Sequence, residues 1–406
     1  MKLPGDFHLT YCSNIHPGET WEEVRANLGT YLPQVRERLN LDGPFGVGLR
    51  LSAQAAETLE APAVLAEFQQ FLAAGNCYVF TINGFPYGVF HRARVKEEVY
   101  LPDWKDEERL RYSDRMARLL AALLPAEPGL EGSVSTVPGA FKEEVGSEDD
   151  VRLMAGMMLR HVATLHRLRE ETGKTITLAL EPEPCCYLET VDEALAFFRD
   201  YLFAAPHLTG LAETLGVTGA QAEQIARRHI GLCYDACHMA VEFENMATSL
   251  AAISAAGIKI CKFQISSALK LIFQQGDGRA EETLRPFVES TYLHQVVEKN
   301  GSALNRYTDL PEGLAGQERA AAGGAGVPVE WRVHFHVPIF LEEMKQFQTT
   351  QQQLLELIEQ IKKQRLCPYL EVETYTWDVL PAEYKTLDLA SAITRELDWV
   401  RERLAP

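Results

Sequence analysis

The sequence predicts an α/β protein of the (β/α)8 barrel, or TIM-barrel, class. Short apolar runs of β type alternate with longer amphipathic helical runs almost from end to end, as in parallel α/β sheets and barrels. Eight such units can be counted, with one helix closing the chain, and 406 residues are enough for one barrel of this kind. An open doubly wound sheet is the alternative, but neither an early GxGxxG motif nor a P-loop supports it.

The first four units each place a strand before a helix. The predicted strands are 7–13, 45–52, 77–84 and 132–139. The predicted helices cover 20–39, 61–74, 107–124 and 148–172, and the last of these opens with the acidic run "SEDD", which suits a helix N-terminus.

The second four units are interrupted. Their predicted strands are 175–183, 230–238, 258–266 and 368–377, with amphipathic helices at 351–365 and 387–404. A ninth candidate strand, "WRVHFHVPIF" at 331–340, follows a stretch that reads as irregular or helical, in which the glycine and alanine content of 313–328 predicts a mobile loop. We expect one domain over 1–406, with 267–330 as an insertion that elaborates the seventh βα connection.

Composition limits the partners and the location. Acidic residues outnumber basic ones by 57 to 39, and the net charge of −18 disfavours nucleic acid. The first residues lack an apolar signal region, and no run approaches the ~18 apolar residues of a membrane span, so we expect a cytoplasmic protein without membrane insertion. The eight cysteines, which lack CxxC spacing, are expected to be reduced core thiols. Cys233 and Cys237, on one strand face with Asp235, are expected to be packing residues.

Polar residues collect at the ends of the later strands, where a barrel places its active site. Strand five ends in Glu181 and Glu183, of which Glu181 lies nearer the barrel. Strand eight carries Glu371 and Glu373, of which we prefer Glu373 because a longer apolar strand precedes it. Each polar residue alone is more often solvated, but together they favour a divalent metal such as Zn, Mn, Co or Fe. The candidate ligands are Glu181, Asp235, His238, Gln264, His334, His336 and Glu373.

The early strand ends supply candidates for substrate binding. The segment "TINGFPYGVFH" at 81–91 has glycine and proline turn formers, with aromatic side chains available to wall a pocket. No G-x-S-x-G motif is present, which disfavours a serine hydrolase. The substrate-binding candidates are Asn14, His16, Asn83, Phe85, Tyr87 and His91.

Several sequence blocks resemble known proteins. A strand-end Glu, a D-x-x-H, an H-x-H and a terminal "ET" resemble the xylose isomerase-like TIM barrels, which include sugar isomerases, epimerases and endonuclease IV. Within that group, "LTYCSNIHPGETW", "FTINGFPYGVFH", "YDACHMAVEFE", "VHFHVPIF" and "LEVETYTW" together resemble the metabolite traffic protein EboE family, over nearly the whole chain. The EboE resemblance implies a place in the biosynthesis or export of a secondary-metabolite precursor.

The superfamily resemblance also implies roles for individual residues. Glu181, Asp235 and Glu373 would match its core metal carboxylates, and His238 the His of D-x-x-H. His334 and His336 would match the paired positions of its trinuclear members. Gln264 stands where a metal-binding His is common, and an amide oxygen is a weaker ligand. This departure and the acidic composition both count against a DNA-repair endonuclease.

The leading hypothesis is a metal-dependent isomerase or epimerase of a small polyhydroxylated metabolite. The resemblance implies that Glu181 and Glu373 would shuttle a proton at the carbon beside a carbonyl. Two alternatives stay open: a metal-dependent phosphoester hydrolase, with a second metal at His334 and His336, and a non-catalytic metabolite carrier. The sequence also leaves open whether the protein forms a homo-oligomer.

Overall fold

The computed structural model describes residues 1–91, 94–274, 282–321 and 328–405, which form two sheets with surrounding helices. In chain order the strands are β1 (Lys2–Leu3), β2 (Phe7–Tyr11), β3 (Phe45–Arg50), β4 (Cys77–Asn83), β5 (Gly132–Thr136), β6 (Ile176–Leu180), β7 (Ile230–Asp235), β8 (Lys259–Ile265), β9 (Leu269–Gln274), β10 (Val296–Asn300), β11 (Ala303–Tyr307), β12 (Pro328–Val333), β13 (Glu343–Met344), β14 (Phe347–Thr349) and β15 (Tyr369–Val372).

Strands β2 to β8 and β15 form a parallel barrel, which confirms the predicted fold class. Their order is β2-β15-β8-β7-β6-β5-β4-β3, with β1 paired antiparallel to β2. A parallel bridge between Cys12 and Gly48 links β2 to β3 and closes the circle. Asp235 pairs with Gln264, and Gln264 pairs with Glu371, so three polar residues lie level on adjacent strands. All eight predicted barrel strands are present.

Helices cover the outside of the barrel and account for most of the connections. Each helix predicted from the sequence is present with ends within two residues of those expected. The helices are α1 (Trp21–Arg38), α2 (Ala53–Leu59), α3 (Pro62–Ala74), α4 (Glu107–Leu123), α5 (Glu148–Thr172), α6 (Val191–Phe197), α7 (Ala205–Leu215), α8 (Gly219–His229), α9 (Ala236–Val241), α10 (Met246–Ala255), α11 (Leu310–Ala321), α12 (Gln351–Gln364) and α13 (Leu389–Leu404).

Local sequence explains where several helices begin and end. Thr20 accepts from the backbone of Glu23 at the start of α1, and the Glu23 side chain accepts from the backbone of Thr20, which makes a capping box. Ser147 and Asp150 form the same arrangement at the acidic start of α5. That helix ends at Gly173, whose φ of 71° is a left-handed conformation that favours glycine.

Between β8 and α12 the chain builds a six-stranded antiparallel sheet, β11-β10-β12-β9-β14-β13, which we call the capping sheet. The expectation that this stretch is irregular or helical is wrong, because β9, β10 and β11 are strands. These strands are short and partly exposed, so their apolar runs are weak. The division into a barrel and an insertion at 267–330 stays a prediction, and the sheet itself continues to Thr349.

Two further expectations need correction. The predicted mobile loop at 313–328 contains most of α11, where Gly313 allows the helix to approach the ring of Trp331, since a Cβ there would lie 2.9 Å from the ring. Residues 322–327 of that loop lie outside the described residues. The ninth strand is β12, which ends at Val333, so His334 and His336 follow the strand instead of lying in it.

The eight cysteines are free in the structure, and six of them are buried, whereas Cys77 and Cys185 are partly exposed. Cys237 does not share the strand with Cys233, because β7 ends at Asp235 and Cys237 lies in the first turn of α9. None of the helices in the described ranges has both the length and the apolar character that a bilayer crossing requires.

Candidate metal centre at the carboxyl end of the barrel

Three carboxylates meet where strands β6, β7 and β15 end. Glu181 follows β6, Asp235 is the last residue of β7, and Glu373 follows β15. One oxygen from each of the three lies within 4.8 Å of the others, and all three side chains are buried. Parallel strands in a barrel bring their carboxyl ends together at one face, which explains why residues so distant in sequence meet.

Two oxygens of this group lack protein partners. Oε2 of Glu181 and Oδ2 of Asp235 are buried and make no hydrogen bond within the described part of the chain. Buried anionic oxygens that are left unpaired are costly unless a cation or a hydrogen-bond donor compensates them. Hard carboxylate oxygens at this spacing fit a divalent metal ion. We therefore call Glu181, Asp235 and Glu373 the carboxylate centre.

Two other oxygens of the carboxylate centre, one from Asp235 and one from Glu373, are held by hydrogen bonds. Oδ1 of Asp235 accepts from the backbone N–H of His238 at 3.0 Å and from Oγ of Ser266 at 2.8 Å, so Asp235 also caps α9. Oε1 of Glu373 accepts from the side-chain amides of Asn14 at 2.8 Å and Asn83 at 3.0 Å. Such partners orient metal ligands and are a common feature of metal sites.

Gln264, another residue expected to bind metal, lies on β8 and pairs with Asp235 on β7. Its Oε1 accepts from the thiol of Cys233 at 3.0 Å, and its Nε2 has no hydrogen-bond partner among the described residues. The amide is therefore adjacent to the carboxylate centre, and its oxygen, which has two lone pairs, keeps one beside the thiol contact.

Burial and mutual repulsion perturb the titration of these groups. Burial raises the pKa of Glu181 to about 7. Burial, followed by the negative charges of Glu181 and Asp235, raises the pKa of Glu373 well above its usual value. Burial alone would raise the pKa of Asp235, but the His238 and His336 imidazoles and two hydrogen bonds lower it overall. Strongly perturbed carboxyls in one cluster are typical of functional sites.

Three imidazoles lie beside the carboxylate centre. Ligand atoms of Asp235, His238 and His336 are within 4.8 Å of one another, as are those of Cys237, His334 and His336. Nδ1 of His238 lies 3.0 Å from the carbonyl oxygen of Pro182, and Nδ1 of His336 lies 2.9 Å from that of Glu373. Because a carbonyl only accepts, both rings carry a proton on Nδ1. Burial lowers the pKa of His336 to about 4, so its Nε2 is a free lone pair, whereas the neighbouring carboxylates raise the pKa of His238.

A buried ion pair lies next to the carboxylate centre inside the barrel. The Lys262 ammonium donates to Oε2 of Glu371, and neither side chain is exposed. The two glutamates at the end of β15 therefore have different partners. Glu371 pairs with Lys262, and Glu373 belongs to the carboxylate centre. The positive charge of Lys262 also lowers the pKa of Glu181 and Glu373 relative to what burial alone would produce.

A cavity with a largely aromatic wall opens onto the carboxylate centre. Phe85 stacks on Tyr100 with ring centroids 5.6 Å apart, and the rings of Tyr292 and Tyr375 meet edge to face. The segment between β9 and β10 contributes Tyr292 and Leu293. The cavity is lined by Asn14, Asn83, Phe85, Phe90, Val95, Lys96, Val99, Tyr100, Glu181, Glu183, His238, Tyr292, Leu293, His334, Glu373 and Tyr375.

The structure brings three of the six expected substrate-binding residues to this cavity. Asn14, Asn83 and Phe85 line it. His91 lies behind the wall, bonded to the backbone oxygen of Asn14 at 2.7 Å and to the hydroxyl of Tyr292 at 2.7 Å. The other two candidates are directed elsewhere. His16 stacks on Tyr31 and bonds to Tyr11, and Tyr87 donates to Glu108.

Sequence reasoning passed over several residues of the site. Glu183, which has the same strand parity as Glu181, lines the cavity and accepts from the Tyr100 hydroxyl at 2.7 Å. Lys262 precedes Gln264 by two residues, and this spacing could have placed it on the same strand face. Gln295 carries no such signal, because it reaches the site only through the fold of the capping region.

Fold and site together define a (β/α)8 barrel with an acidic and imidazole-rich centre at the carboxyl ends of its strands. No protein-family model matches the chain. No curated protein sequence matches it either. The EboE resemblance therefore stays a prediction from the sequence blocks.

The chain is similar to several solved structures at low sequence identity and low TM-score. One is the probable 3-DHS dehydratase AsbF from Bacillus anthracis, with 10% identity, 98% of each chain covered and a TM-score of 0.44. The IOLI protein with a binding zinc atom has 13% identity, 98% and 97% coverage and a TM-score of 0.44. A D-tagatose 3-epimerase-like protein has 11% identity, 98% and 100% coverage and a TM-score of 0.45. Likeness at this level carries no argument about substrate, metal or reaction.

Proposed function

We propose that the protein is a divalent-metal-dependent isomerase or epimerase of a small sugar- or cyclitol-like compound. One observation carries the proposal: Glu181 and Glu373 flank Asp235 in a buried cluster, with ligand oxygens within 4.8 Å, at the floor of a cavity with aromatic walls. Two carboxyls on one cavity can act as a general base and a general acid for a substrate held between them.

The residues fit a metal of the Mn, Zn or Co class. Glu181, Asp235 and Glu373 would hold it, and the unpartnered oxygens of Glu181 and Asp235 are the atoms most in need of a cation. When bound, the ion would supply Lewis acidity to a substrate carbonyl and its neighbouring hydroxyl. Its identity is left to experiment, because carboxylate ligands are shared by several divalent ions.

The protein groups would perform the proton transfers. One of the two glutamates, as carboxylate, takes the proton from the carbon beside the carbonyl. The other, as carboxylic acid, returns a proton to the opposite face of the same carbon in an epimerase. In an isomerase it returns the proton to the former carbonyl carbon, and the neighbouring hydroxyl passes its own proton to the former carbonyl oxygen. Asn14 and Asn83 fix the Glu373 side chain, so its second oxygen keeps a defined direction toward the substrate.

The cavity wall suits a compact ring or chain of hydroxylated carbons. Phe85, Tyr100 and Tyr375 present apolar faces that exclude water from the reacting carbon. Aromatic faces also pack against the C–H faces of sugars and cyclitols, while His238 and Glu183 offer polar partners for hydroxyl groups. From the EboE-type sequence blocks alone, we place such a substrate in a secondary-metabolite precursor pathway.

The test measures bound metal and incorporation of solvent deuterium into candidate sugars and cyclitols. The proposal expects metal-dependent exchange that falls by at least about 100-fold in Glu373→Gln and Glu181→Gln, within the range that general acid–base groups supply. Tyr87→Phe, which removes a hydroxyl outside the cavity, serves as the matched control with unchanged exchange. Absence of both metal and exchange in the wild-type protein would contradict the proposal.

A phosphoester hydrolase is the second candidate, and the imidazoles favour it. Asp235 belongs both to the carboxylate centre and to the group with His238 and His336, so two metals could share one ligand. Hydrolysis of bis(p-nitrophenyl) phosphate without deuterium exchange into sugars would select this candidate. A metabolite that co-purifies unchanged, with neither activity, would instead indicate a carrier.

A further inference from the structure

Cys237, His334 and His336 form a compact group between the barrel and the segment that follows β12. One ligand atom from each of the three residues lies within 4.8 Å of the other two, and all three side chains are buried. Cys237 belongs to the first turn of α9, whereas both histidines follow β12. The group therefore connects two parts of the chain that are far apart in sequence.

A hydrogen bond at Nδ1 fixes the tautomer of both imidazoles, His334 and His336. Nδ1 of His336 lies 2.9 Å from the carbonyl oxygen of Glu373, and Nδ1 of His334 lies 2.7 Å from Oε1 of Gln295. The orientation of the Gln295 amide is set by its Nε2, which donates to the Tyr100 hydroxyl at 2.8 Å and to the carbonyl oxygen of Pro184 at 3.2 Å. Both rings thus carry the proton on Nδ1.

The consequence is that two free lone pairs face each other. Nε2 of His334 and Nε2 of His336 are 3.3 Å apart, and neither has a proton to donate to the other in this tautomer. Two ligand nitrogens of a tetrahedral zinc ion, with bonds of about 2.0–2.1 Å, lie about 3.3–3.4 Å apart. The observed separation therefore equals that of two histidines that share one tetrahedral ion.

The thiol supplies a third ligand of a different character. The Cys237 side chain has no exposed surface and packs with Val241, Ala268 and Val297, and its backbone N–H donates to Oγ of Ser266 at 2.8 Å. Thiolate and imidazole ligands select zinc and similar borderline ions, whereas the all-oxygen carboxylate centre also suits manganese. Binding would release the thiol proton to solvent.

We propose that Cys237, His334 and His336 bind a zinc-class ion in a thiolate-containing site whose ligands differ from those of the carboxylate centre, although His336 also lies within 4.8 Å of Asp235. The site holds the segment after β12 against α9, and it does not depend on the reaction proposed above. Cys237, expected from the sequence to be a packing residue, acts here as a ligand as well.

The test uses the full-length, metal-free protein titrated with Co²⁺ alone. A thiolate bound to Co²⁺ gives a charge-transfer band in the near ultraviolet, which carboxylate and imidazole ligands do not give. The proposal expects this band in the wild type and in Glu181→Gln, and expects its loss in Cys237→Ser. Cys261→Ser, which changes another buried thiol of the barrel, is the matched control and should keep the band.

A second measurement requires no variant and so remains decisive if Cys237→Ser fails to fold. X-ray absorption of the zinc-saturated wild type should show sulfur neighbours at about 2.3 Å together with nitrogen or oxygen neighbours, with the sulfur count averaged over both sites if the carboxylate centre also holds zinc. Cobalt binding without the charge-transfer band, a band that persists in Cys237→Ser, or a zinc shell without sulfur would each overturn the proposal.

Discussion

Lys262 and Glu371 form an ion pair inside the barrel, where neither side chain has any exposed surface. Burying two charges costs several kcal/mol per ion, and their attraction offsets this cost only while both partners are present. Since Lys262 lies near Glu181 and Glu373 as well, the pair also limits the repulsion among the neighbouring carboxylates.

Replacing Lys262 by methionine should destabilise the protein strongly. The change leaves Glu371 as an unpaired buried carboxylate, and loss of one partner of a buried pair costs about 3–5 kcal/mol. Urea unfolding measures the difference. The double variant Lys262→Met with Glu371→Gln removes both charges and should be more stable than Lys262→Met alone, whereas additive losses would show that the pair is not coupled.

Asn14 and Asn83 should control metal affinity through Glu373. Each donates one hydrogen bond to Oε1 of that residue, and loss of a partner that orients a metal ligand typically lowers affinity by about 10- to 100-fold. Calorimetric titration of Asn14→Ala and Asn83→Ala with Mn²⁺ measures the effect. Tyr87→Phe is the control outside the cavity, and equal affinities in all four proteins would refute this role.

Gly48 is required by close packing at the seam where β2 meets β3. A Cβ at this position would lie 2.1 Å from Oε1 of Glu371 and 2.7 Å from the backbone oxygen of Tyr11. Gly48→Ala should therefore cost about 3 kcal/mol or more, at the upper end of overpacking effects. Gly43, whose added Cβ would meet nothing within 4 Å, is the control, and a loss in Gly43→Ala equal to that in Gly48→Ala would exclude the packing explanation.

Glu396 should make stability depend on pH. Its Oε1 accepts from Oγ1 of Thr374 at 2.7 Å and from the backbone N–H of Ile339 at 3.2 Å, and burial raises its pKa from 4.5 to about 7. A raised carboxyl pKa means that the folded state binds more protons than the unfolded state between those two values. The contribution of protonated Glu396 to the free energy of unfolding is therefore fully present below pH 4.5 and is lost as the pH rises through 7.

The variant Glu396→Gln keeps an oxygen acceptor and removes the titration. Relative to the wild type it should gain stability as pH rises from 4.5 to 8, by about 3 kcal/mol at most for a shift of this size. Chemical unfolding at several pH values gives the difference. Glu57→Gln, an exposed change, should follow the wild-type profile; a constant difference between Glu396→Gln and the wild type would rule the effect out.

The barrel was predictable because both faces of its strands are buried. In segments such as "CYVFTIN" and "KICKFQI" every residue after the first is buried and most are apolar, and the helices between them show clear amphipathic spacing. The capping sheet was not predictable in the same way. Strand β11 is mostly exposed and reads "ALNRY", so neither its composition nor its alternation distinguishes it from a loop.

The same contrast between barrel and capping sheet decides which residues of the candidate site could be predicted. Residues at strand ends, such as Asp235 and Glu373, could be found because barrel topology alone brings strand ends together. The sequence does not distinguish strand-end residues whose side chains enter the cavity from those whose side chains point elsewhere. His16, for example, stacks on Tyr31. The partner of His334, Gln295, depends on how the capping region folds onto the barrel, and no spacing in the sequence encodes that contact.

The central claim is that Glu181, Asp235 and Glu373 bind one divalent metal. The most direct test is calorimetric titration of the metal-free protein with Mn²⁺, comparing the wild type with Asp235→Asn, which removes the charge but keeps a good helix cap. We expect the wild type to bind one equivalent and Asp235→Asn to bind at least about 100-fold more weakly, with both proteins folded by circular dichroism. Equal affinity in the two proteins, or no binding by the wild type, would contradict it.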